Sequence, residues 1–246
     1  MIGTASPLLH VNELTRRFGG LIAVNRLDFT VESGEILGVI GPNGAGKTTV
    51  FSLLTGFLQP DGGRIFFRER SLTGLSPHRI CLLGMVRTFQ KMKPFPRLTI
   101  LDNVMVGALA RTPERKVAEQ HAKDALEFVG LAAMAARMPQ ELPIGHLKML
   151  EMAKALATKP QLLLLDEPYA GLNPSEGAHL GELLLRIRDS GVTILLIEHV
   201  MRVIMALCSR ILVLHHGEKI AEGRAVEVAN NPAVISAYLG KPYAGN

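Results

Sequence analysis

Short apolar runs alternate with helical stripes along this chain, and the pattern predicts a sheet covered by helices. Three runs have strand length and hardly any polar interior positions: Glu35–Ile40, Leu162–Asp166 and Val192–Glu198. Because continuous apolar runs are typical of strands buried on both faces, these segments predict a largely parallel sheet. The first third of the chain adds β-rich segments separated by glycine-containing turns. These are Leu8–Thr15, Arg26–Glu32 and Arg64–Glu69.

The middle of the chain changes to a helical pattern, from about Gln90 to Thr158. Apolar residues then recur at helical spacing between Leu180 and Ile187, and again between Val200 and Leu207. Arg210–His216 and Glu218–Glu222 predict a closing hairpin about a glycine. Strands that alternate with helices in this way predict the α/β fold class.

Composition limits the classes of protein that this sequence fits. The chain has 246 residues, and 48% of them are hydrophobic, which is enough for one large α/β domain or two small ones. No apolar run approaches the ~20 residues that span a bilayer, and the first residues lack a signal-peptide pattern. We therefore expect a cytosolic product. The net charge of +5 suits phosphate ligands or a membrane surface, although such an excess is also ordinary.

Cysteine and aromatic content disfavour a cysteine metal site, a redox pair and a nucleic-acid-binding surface. Cys81 and Cys208 lie far apart and form no metal-ligand or redox spacing, so buried thiols are the expected reading. Tryptophan is absent, and aromatic residues are few. A base-stacking platform for nucleic acid is therefore not expected.

One glycine-rich segment matches a phosphate-binding pattern and is flanked as that pattern requires. GPNGAGKTT, Gly41–Thr49, fits Gly-x-x-x-x-Gly-Lys-[Ser/Thr], with an apolar strand before it and a helical segment after it. Glycines let successive N–H groups point at phosphate oxygens, and the helix N-terminus adds partial positive charge. The flanking elements disfavour the alternative of an accidental glycine-rich turn.

The residues of this loop have distinct predicted roles. Lys47 is expected to reach the β- and γ-phosphates, and the Thr48 hydroxyl is expected to bind Mg²⁺. The predicted nucleotide-binding residues of the loop are Gly41, Pro42, Asn43, Gly44, Ala45, Gly46, Lys47, Thr48 and Thr49.

A second candidate element is the apolar strand that ends in two acids, LLLLDE. Asp166 comes at the carboxyl end of this strand, where α/β sheets bind ligands, and is predicted to hold Mg²⁺. Glu167 is placed to polarise the attacking water or accept its proton. Two solvated acids after a buried strand are the alternative, and the upstream phosphate loop weighs against it.

Three isolated residues are weaker candidates on the sequence alone. His199 follows the next strand and could donate a hydrogen bond to a γ-phosphate, although a lone histidine is more often structural. Gln90 lies between the strand-rich and helical portions and could contact both a metal and the attacking water. Phe18 could stack on adenine, with a core phenylalanine as the competing reading.

This ordered set of motifs resembles the ATP-binding cassette (ABC) family of ATPases over nearly the whole chain. The resemblance implies a P-loop NTPase fold: a RecA-like core with an antiparallel β subdomain and an inserted helical subdomain. It places the core at 1–88 and 159–222, the helical subdomain at 89–158, and a C-terminal extension at 223–246. It also implies that Phe18 and Val24 hold adenine and ribose, that ATP and Mg²⁺ are the cofactors, and that Mg²⁺ is held by Thr48, Gln90 and Asp166.

The segment that caps the γ-phosphate across an ABC dimer departs from the usual LSGGQ. Here it is LPIGH: Leu142, Pro143, Ile144, Gly145 and His146. Pro143 has neither a hydroxyl nor an N–H to offer. Backbone N–H groups from Gly145 and the following helix remain available to an anion.

A narrower resemblance is to the ATPases of branched-chain amino acid importers, which often carry LPYG or LSYG at this point. RFGGLIAVN, PHRI, RTFQ, AGLNP and HGEKIAEG fit that subfamily. The resemblance implies a peripheral protein at the cytoplasmic face of the membrane. Its partners would be a second ATPase subunit, two permease subunits and an external solute-binding protein, without nucleic acid.

Other interpretations of the function stay open at this point. The solute could be urea, an amide or an aromatic acid, the system could be an exporter, or the chain could be a binding-only regulatory cassette. A non-transport ABC protein is disfavoured because the chain has one cassette and no heptad insertion.

Overall fold

The protein is described by a computed structural model, which covers residues 6–239. Backbone contacts divide the chain into two compact units. The first unit takes in Met1–Pro77 and Thr193–Asn246, and the second is His78–Val192. The division into core, helical subdomain and extension that the family resemblance implies stays a prediction. Residues 240–246 of the predicted extension lie outside the described part.

Strands and helices follow one another in the order expected for an α/β chain. The strands are β1 (Leu9–Phe18), β2 (Leu21–Val31), β3 (Ile36–Ile40), β4 (Gly62–Phe67), β5 (Arg70–Ser71), β6 (Met85–Arg87), β7 (Leu162–Asp166), β8 (Thr193–Ile197), β9 (Arg210–His215) and β10 (Glu218–Gly223). The helices are α1 (Lys47–Leu54), α2 (Pro77–Leu83), α3 (Ile100–Ala108), α4 (Arg115–Phe128), α5 (Ile144–Ala157), α6 (Pro174–Asp189), α7 (Met201–Leu207), α8 (Ala225–Ala229) and α9 (Pro232–Leu239). Two short 3-10 helices cover Ala132–Met134 and Pro139–Glu141.

The first unit contains an antiparallel sheet in the order β2-β1-β4-β5. Strand β1 alternates buried and exposed residues at its start, from Leu9 to Asn12, as expected for a sheet with one face on the core. The register between β1 and β2 shifts between Val11 and Leu14 and again up to Arg17, so the strands bend along their length. An antiparallel sheet of this kind belongs to the fold that the family resemblance implies.

A second sheet in the first unit has the order β10-β9-β3-β8. Strand β3 pairs in parallel with both β8 and β9, and β10 closes the edge as an antiparallel hairpin partner of β9. All residues of β3 and β8 are buried, which explains their continuous apolar sequence. The hairpin predicted about Gly217 is therefore confirmed.

The second unit contains the parallel pair β6 and β7 and most of the helices. Helix α3 begins after Thr99, whose hydroxyl accepts a hydrogen bond from the Asp102 N–H. Helix α6 begins after Asn173, whose side chain accepts from the Glu176 N–H, while the Glu176 carboxylate accepts from the Asn173 N–H. These caps satisfy the donors at each helix start and fix where the loops before them end.

Both cysteines are free thiols, as the sequence predicts. Cys208 is buried, and its Sγ lies 2.9 Å from the position that a Cβ on Gly38 would occupy. Burial raises the pKa of the Cys208 thiol to about 12. Cys81 is half-buried, and burial raises the pKa of its thiol as well. Both groups are therefore protonated near neutral pH and serve as small packing residues.

Several short elements were not recognised in the sequence, among them β5, β6, α2, α8 and α9. Strand β6 is only three residues long, and α2 has seven, so neither produces a readable periodic pattern. Strand β6 matters for the placement of Gln90, because the chain runs from its last residue, Arg87, directly into the segment that carries Gln90. No helix between residues 6 and 239 is both long and apolar enough to cross a membrane.

Candidate functional site

The glycine-rich loop joins the buried strand β3 to helix α1 in the first unit. Its backbone lies so close to its neighbours that side chains would not fit: a Cβ on Gly41 would come within 2.2 Å of the Leu214 carbonyl oxygen, and one on Gly46 within 2.4 Å of the Ala23 oxygen. Both glycines also have positive φ, 155° and 100°. The loop can therefore keep this conformation only with glycine at these two positions.

Lys47 is the first residue of α1, and its ammonium points back into the loop. Its Nζ donates to the carbonyl oxygens of Gly41 at 2.7 Å and of Pro42 at 3.0 Å. The side chain is buried, whereas Asn43, Gly44 and the neighbouring Thr48 are exposed. The loop thus holds a nearly buried cation beside accessible backbone and a hydroxyl at a helix N-terminus, which is an arrangement that attracts phosphate.

His199 follows β8 in the same unit as the glycine-rich loop. Because β3 and β8 pair in parallel with Val39 opposite Ile197, their carboxyl ends lie at the same sheet edge. The imidazole is 62% exposed, and the His199 N–H donates to the buried Glu198 carboxylate at 3.1 Å. The predicted phosphate ligand His199 therefore emerges at the edge from which the glycine-rich loop also starts.

The two residues predicted to hold adenine and ribose differ in accessibility. Phe18 ends β1, is 44% exposed, and has the Arg16 guanidinium 4.9 Å from its ring centroid. Val24 in β2 is fully buried in the core. Phe18 can therefore offer a ring face to a base, whereas Val24 has no exposed surface to offer a ribose in this conformation.

Asp166 ends strand β7 in the second unit and is paired with an arginine. Arg87 Nη2 donates to Asp166 Oδ2 at 2.7 Å, and both side chains are nearly buried, at 7% and 5% exposure. The pairing follows from the register, because β6 places Arg87 opposite Leu164 on the adjacent parallel strand. The guanidinium thus balances the charge of a carboxylate that would otherwise be costly to bury.

Glu167 and Gln90 lie together beside this pair in the second unit. Gln90 Nε2 donates to Glu167 Oε2 at 2.7 Å. Glu167 has φ of 49°, a left-handed conformation that is uncommon for residues other than glycine and asparagine. Such strain persists only where the surroundings fix it, and it is frequent at catalytic positions. The structure therefore brings together three of the predicted site residues of this unit: Asp166, Glu167 and Gln90.

The LPIGH segment forms the start of α5 rather than a loop ahead of it. Pro143 is the N-cap and the helix begins at Ile144, so the last three residues of the segment are helical. Proline is tolerated here because the first helical donors have no intrahelical partner. The backbone donors at this helix start are consequently those of Ile144, Gly145 and His146.

Packing at the start of α5 explains why the segment has glycine at position 145. A Cβ on Gly145 would lie 2.6 Å from Glu176 Oε1, and Glu176 is held in place as part of the α6 cap. Leu142 is buried, whereas Pro143 and Ile144 are exposed. The exposed part of the segment therefore consists of an apolar side chain and proline, without a side-chain donor at the usual serine position.

Sequence reasoning missed two contributions to the site. Arg87 was noted only as part of RTFQ, yet it pairs with Asp166. No sequence signal marked this pair, because the strand β6 that carries Arg87 is only three residues long. Gly217 was noted only as a turn. Its N–H donates to the Ala45 oxygen at 3.1 Å, and its own oxygen accepts from Asn25 N at 2.9 Å, so the β9–β10 turn supports the glycine-rich loop.

Replacing Arg87 by Met is expected to lower the free energy of unfolding by about 3 kcal/mol, because Asp166 would keep a buried charge without its partner. For a chain of this size that corresponds to a melting temperature about 6–12 °C lower, measured by calorimetry or circular dichroism. Arg188→Met is the matched control, since Arg188 pairs with Asp189 on the surface at 2.6 Å. The control should change stability by less than about 1 kcal/mol. Equal effects of the two variants would contradict the role assigned to Arg87.

The fold and the phosphate loop together define a P-loop nucleotide-binding protein of the α/β class. A family model described as ABC transporter matches residues 24–170, which is more than half of the chain. A second model, described as Branched-chain amino acid ATP-binding cassette transporter, matches residues 218–244. The chain therefore belongs to the ABC transporter family.

Curated relatives and solved structures agree over almost the full length. The chain is 44% identical over 253 residues to the high-affinity branched-chain amino acid transport ATP-binding protein LivG of Salmonella typhimurium, covering 96% of this chain and 99% of that protein. It is 41% identical to the corresponding protein BraF of Pseudomonas aeruginosa, with coverage of 96% and 98%. A crystal structure of a nucleotide-free ATP-binding cassette from an ABC transporter matches with a TM-score of 0.87 and 29% identity, covering 96% and 100%. The predicted fold class and family are confirmed.

Proposed function

We propose that this chain is the ATP-hydrolysing subunit of an importer for branched-chain amino acids or similar small solutes. The observation that carries the proposal is the similarity to LivG over 96% of the chain, together with the C-terminal match at 218–244. The second match matters because it lies outside residues 24–170, which the general ABC transporter model matches.

ATP binding is assigned to the loop between β3 and α1. The backbone of Asn43–Thr49 offers N–H groups, and the ammonium of Lys47 supplies positive charge beside them. Phe18 supplies an exposed ring for the adenine. The charged phosphates would thus lie beside N–H groups and an ammonium, and the flat apolar base would lie against an aromatic ring.

The residues predicted to hold Mg²⁺ have suitable chemistry. Asp166, Thr48 and Gln90 provide a carboxylate, a hydroxyl and an amide oxygen, the oxygen donors that this ion prefers. Arg87 already pairs with Asp166 Oδ2, so a metal ion at this carboxylate would share it with the guanidinium. When bound, the ion would supply positive charge that neutralises the charge of the phosphate oxygens.

Glu167 is assigned as the residue that orients and polarises the attacking water. Its carboxylate is held by the amide of Gln90 at 2.7 Å and by a constrained backbone, so its direction is fixed before ATP arrives. His199 would donate to the γ-phosphate from the end of β8. Loss of the γ-phosphate removes the charge to which His199 would donate. The importer would use this event to change from one conformation to another.

The transport assembly is proposed from the sequence resemblance. Two cassettes would meet head to tail, and the α5 N-terminus of one would face the γ-phosphate bound by the other. With Pro143 at the usual serine position, this contact would rest on backbone N–H groups and the helix dipole. The further partners are a second ATPase subunit, two permease subunits and an external solute-binding protein, with the chain peripheral at the cytoplasmic face of the membrane.

Reconstitution with the permease and binding-protein subunits tests this function. In proteoliposomes, binding protein loaded with leucine, isoleucine or valine is expected to raise the ATPase rate several-fold over unloaded binding protein. The comparison arms use urea, a short amide and an aromatic amino acid. If one of those solutes stimulates the ATPase rate and leucine does not, the transported solute belongs to a different class. If addition of ATP moves solute away from the cytoplasmic side, the system is an exporter and the proposed direction of transport is wrong.

A further inference from the structure

A cavity of about 520 Å³ lies entirely within the second unit, among the ends of three helices. Its walls come from α4, from the last turn of α5 with the residues after it, and from the residues after α6. This volume falls in the range typical of small-molecule sites. None of its lining residues belongs to the predicted nucleotide site.

The cavity has an apolar wall that is held in place. Phe128, Leu156, Pro160 and Val192 contribute apolar surface. The Arg186 guanidinium lies 4.7 Å from the Phe128 ring centroid, and its Nη2 donates to the Phe128 carbonyl oxygen at 3.0 Å. An aliphatic group of a ligand would therefore meet a preformed surface.

A positive group lies on one side of this wall. Lys159 Nζ is 2.9 Å from His121 Nε2, and both residues line the cavity. Because the ammonium donates, Nε2 accepts and the ring hydrogen is on Nδ1, an atom that is buried without a hydrogen-bond partner in residues 6–239. In the same part of the chain no carboxylate pairs with the Lys159 ammonium. Lys159 is an exposed residue, and its ammonium can donate a hydrogen bond to a bound carboxylate.

The backbone of Lys159 is strained. It follows the α5 C-cap Thr158 with φ of 50°, at the position where helices usually place glycine. Lysine there costs stability that glycine would not, by about 1 kcal/mol. A strained position that carries the charge of a cavity is the kind of outlier from which a functional role can be inferred.

A negative group lies one helical turn from His121 on α4. Asp124 is three residues further along, so the two side chains share one face of the helix, with their Cβ atoms about 5–6 Å apart. One carboxylate oxygen of Asp124 accepts from Gln120 Nε2 at 2.7 Å, and the second oxygen is left for a ligand donor. The cavity is thus lined by a cation, an anion and an apolar wall.

We propose that this cavity binds a free amino acid with an aliphatic side chain. Lys159 would bind the α-carboxylate, Asp124 the α-ammonium, and the wall of Phe128, Leu156 and Val192 the side chain. If the proposed transport function is correct, the ligand belongs to the same class as the transported solute. The site would then let the cytosolic amino acid bind its own ATPase subunit.

Isothermal titration of the full-length protein with L-leucine, without nucleotide, tests the site. We expect saturable binding with one site per chain. Isovalerate lacks the ammonium and leucinamide lacks the carboxylate, so each is expected to bind at least about tenfold more weakly. L-lysine, whose side chain is charged, should also bind weakly. Absence of saturable leucine binding, or isovalerate binding as tightly as leucine, would overturn the proposal.

Substitutions locate the binding. Lys159→Asn keeps a residue that tolerates positive φ and removes the charge, so leucine affinity should fall about tenfold or more while the fold is kept. Lys116→Gln removes the same charge from an exposed position of α4 outside the cavity and should leave the affinity unchanged. Asp124→Asn should remove the advantage of leucine over isovalerate. Equal effects of the two lysine variants would contradict the assignment. Since no ATP is present, a negative result leaves the proposed function intact, and an inactive ATPase leaves this site intact.

Discussion

Replacing Glu167 by Gln is expected to lower the rate of ATP hydrolysis by about two to four orders of magnitude, the usual contribution of a general base. The amide keeps the size of the side chain but cannot accept the proton of the attacking water. Nucleotide affinity should be retained, because the phosphate contacts come from the loop at Gly41–Thr49. Steady-state phosphate release and binding of a fluorescent ATP analogue measure the two quantities separately.

Glu182→Gln is the control for this variant, since Glu182 is an exposed acid on α6 in the same unit. It should hydrolyse ATP at the wild-type rate. Turnover of Glu167→Gln within about twofold of wild type would remove Glu167 from the catalytic role. A wild-type protein that binds ATP without turnover, alone and with its partner subunit, would instead favour the binding-only regulatory cassette.

Replacing Lys47 by Ala is expected to weaken nucleotide binding by about 100-fold or more. The lost group is a nearly buried ammonium that lies 2.7 Å and 3.0 Å from carbonyl oxygens at the start of the loop. Charge-assisted hydrogen bonds to phosphate are among the strongest single contacts in a binding site. Equilibrium titration with ATP and with ADP, compared with wild type, gives the change in affinity.

Lys219→Ala provides the matched control, because Lys219 is an exposed residue on β10 of the same unit and lies outside the loop. Its ATP affinity should equal that of wild type. The circular dichroism spectrum of Lys47→Ala should match wild type, because Lys47 is the first residue of α1 and alanine is favourable in a helix. Unchanged ATP affinity in a folded Lys47→Ala protein would contradict the assignment of the loop.

The LPIGH segment shows how a local rule and the tertiary structure combine. The sequence indicates that Pro143 cannot donate a hydrogen bond, but it does not place the helix start. In the structure Pro143 is the N-cap, and Gly145 lies against the Glu176 carboxylate of the α6 cap. The loss of a side-chain donor thus coincides with a helix N-terminus at the same place, which retains backbone donors for an anion.

Much of this protein can be read from the sequence because the decisive signals are local. The continuous apolar runs at β3, β7 and β8 identify buried parallel strands, since each strand needs apolar residues on both faces. The glycine-rich loop is equally local, because its conformation excludes side chains at Gly41 and Gly46. Fold class, family and phosphate loop therefore follow from short segments and their order.

Contacts between distant residues depended on the tertiary structure. Arg87 and Asp166 are 79 positions apart, and only the pairing of the three-residue strand β6 with β7 places the guanidinium on the carboxylate. The cavity beside Lys159 likewise needs three helix ends to meet, and no spacing in the sequence records where they end. Sequence patterns report the burial and periodicity of each element, whereas the position of a charge relative to a distant partner is determined by packing.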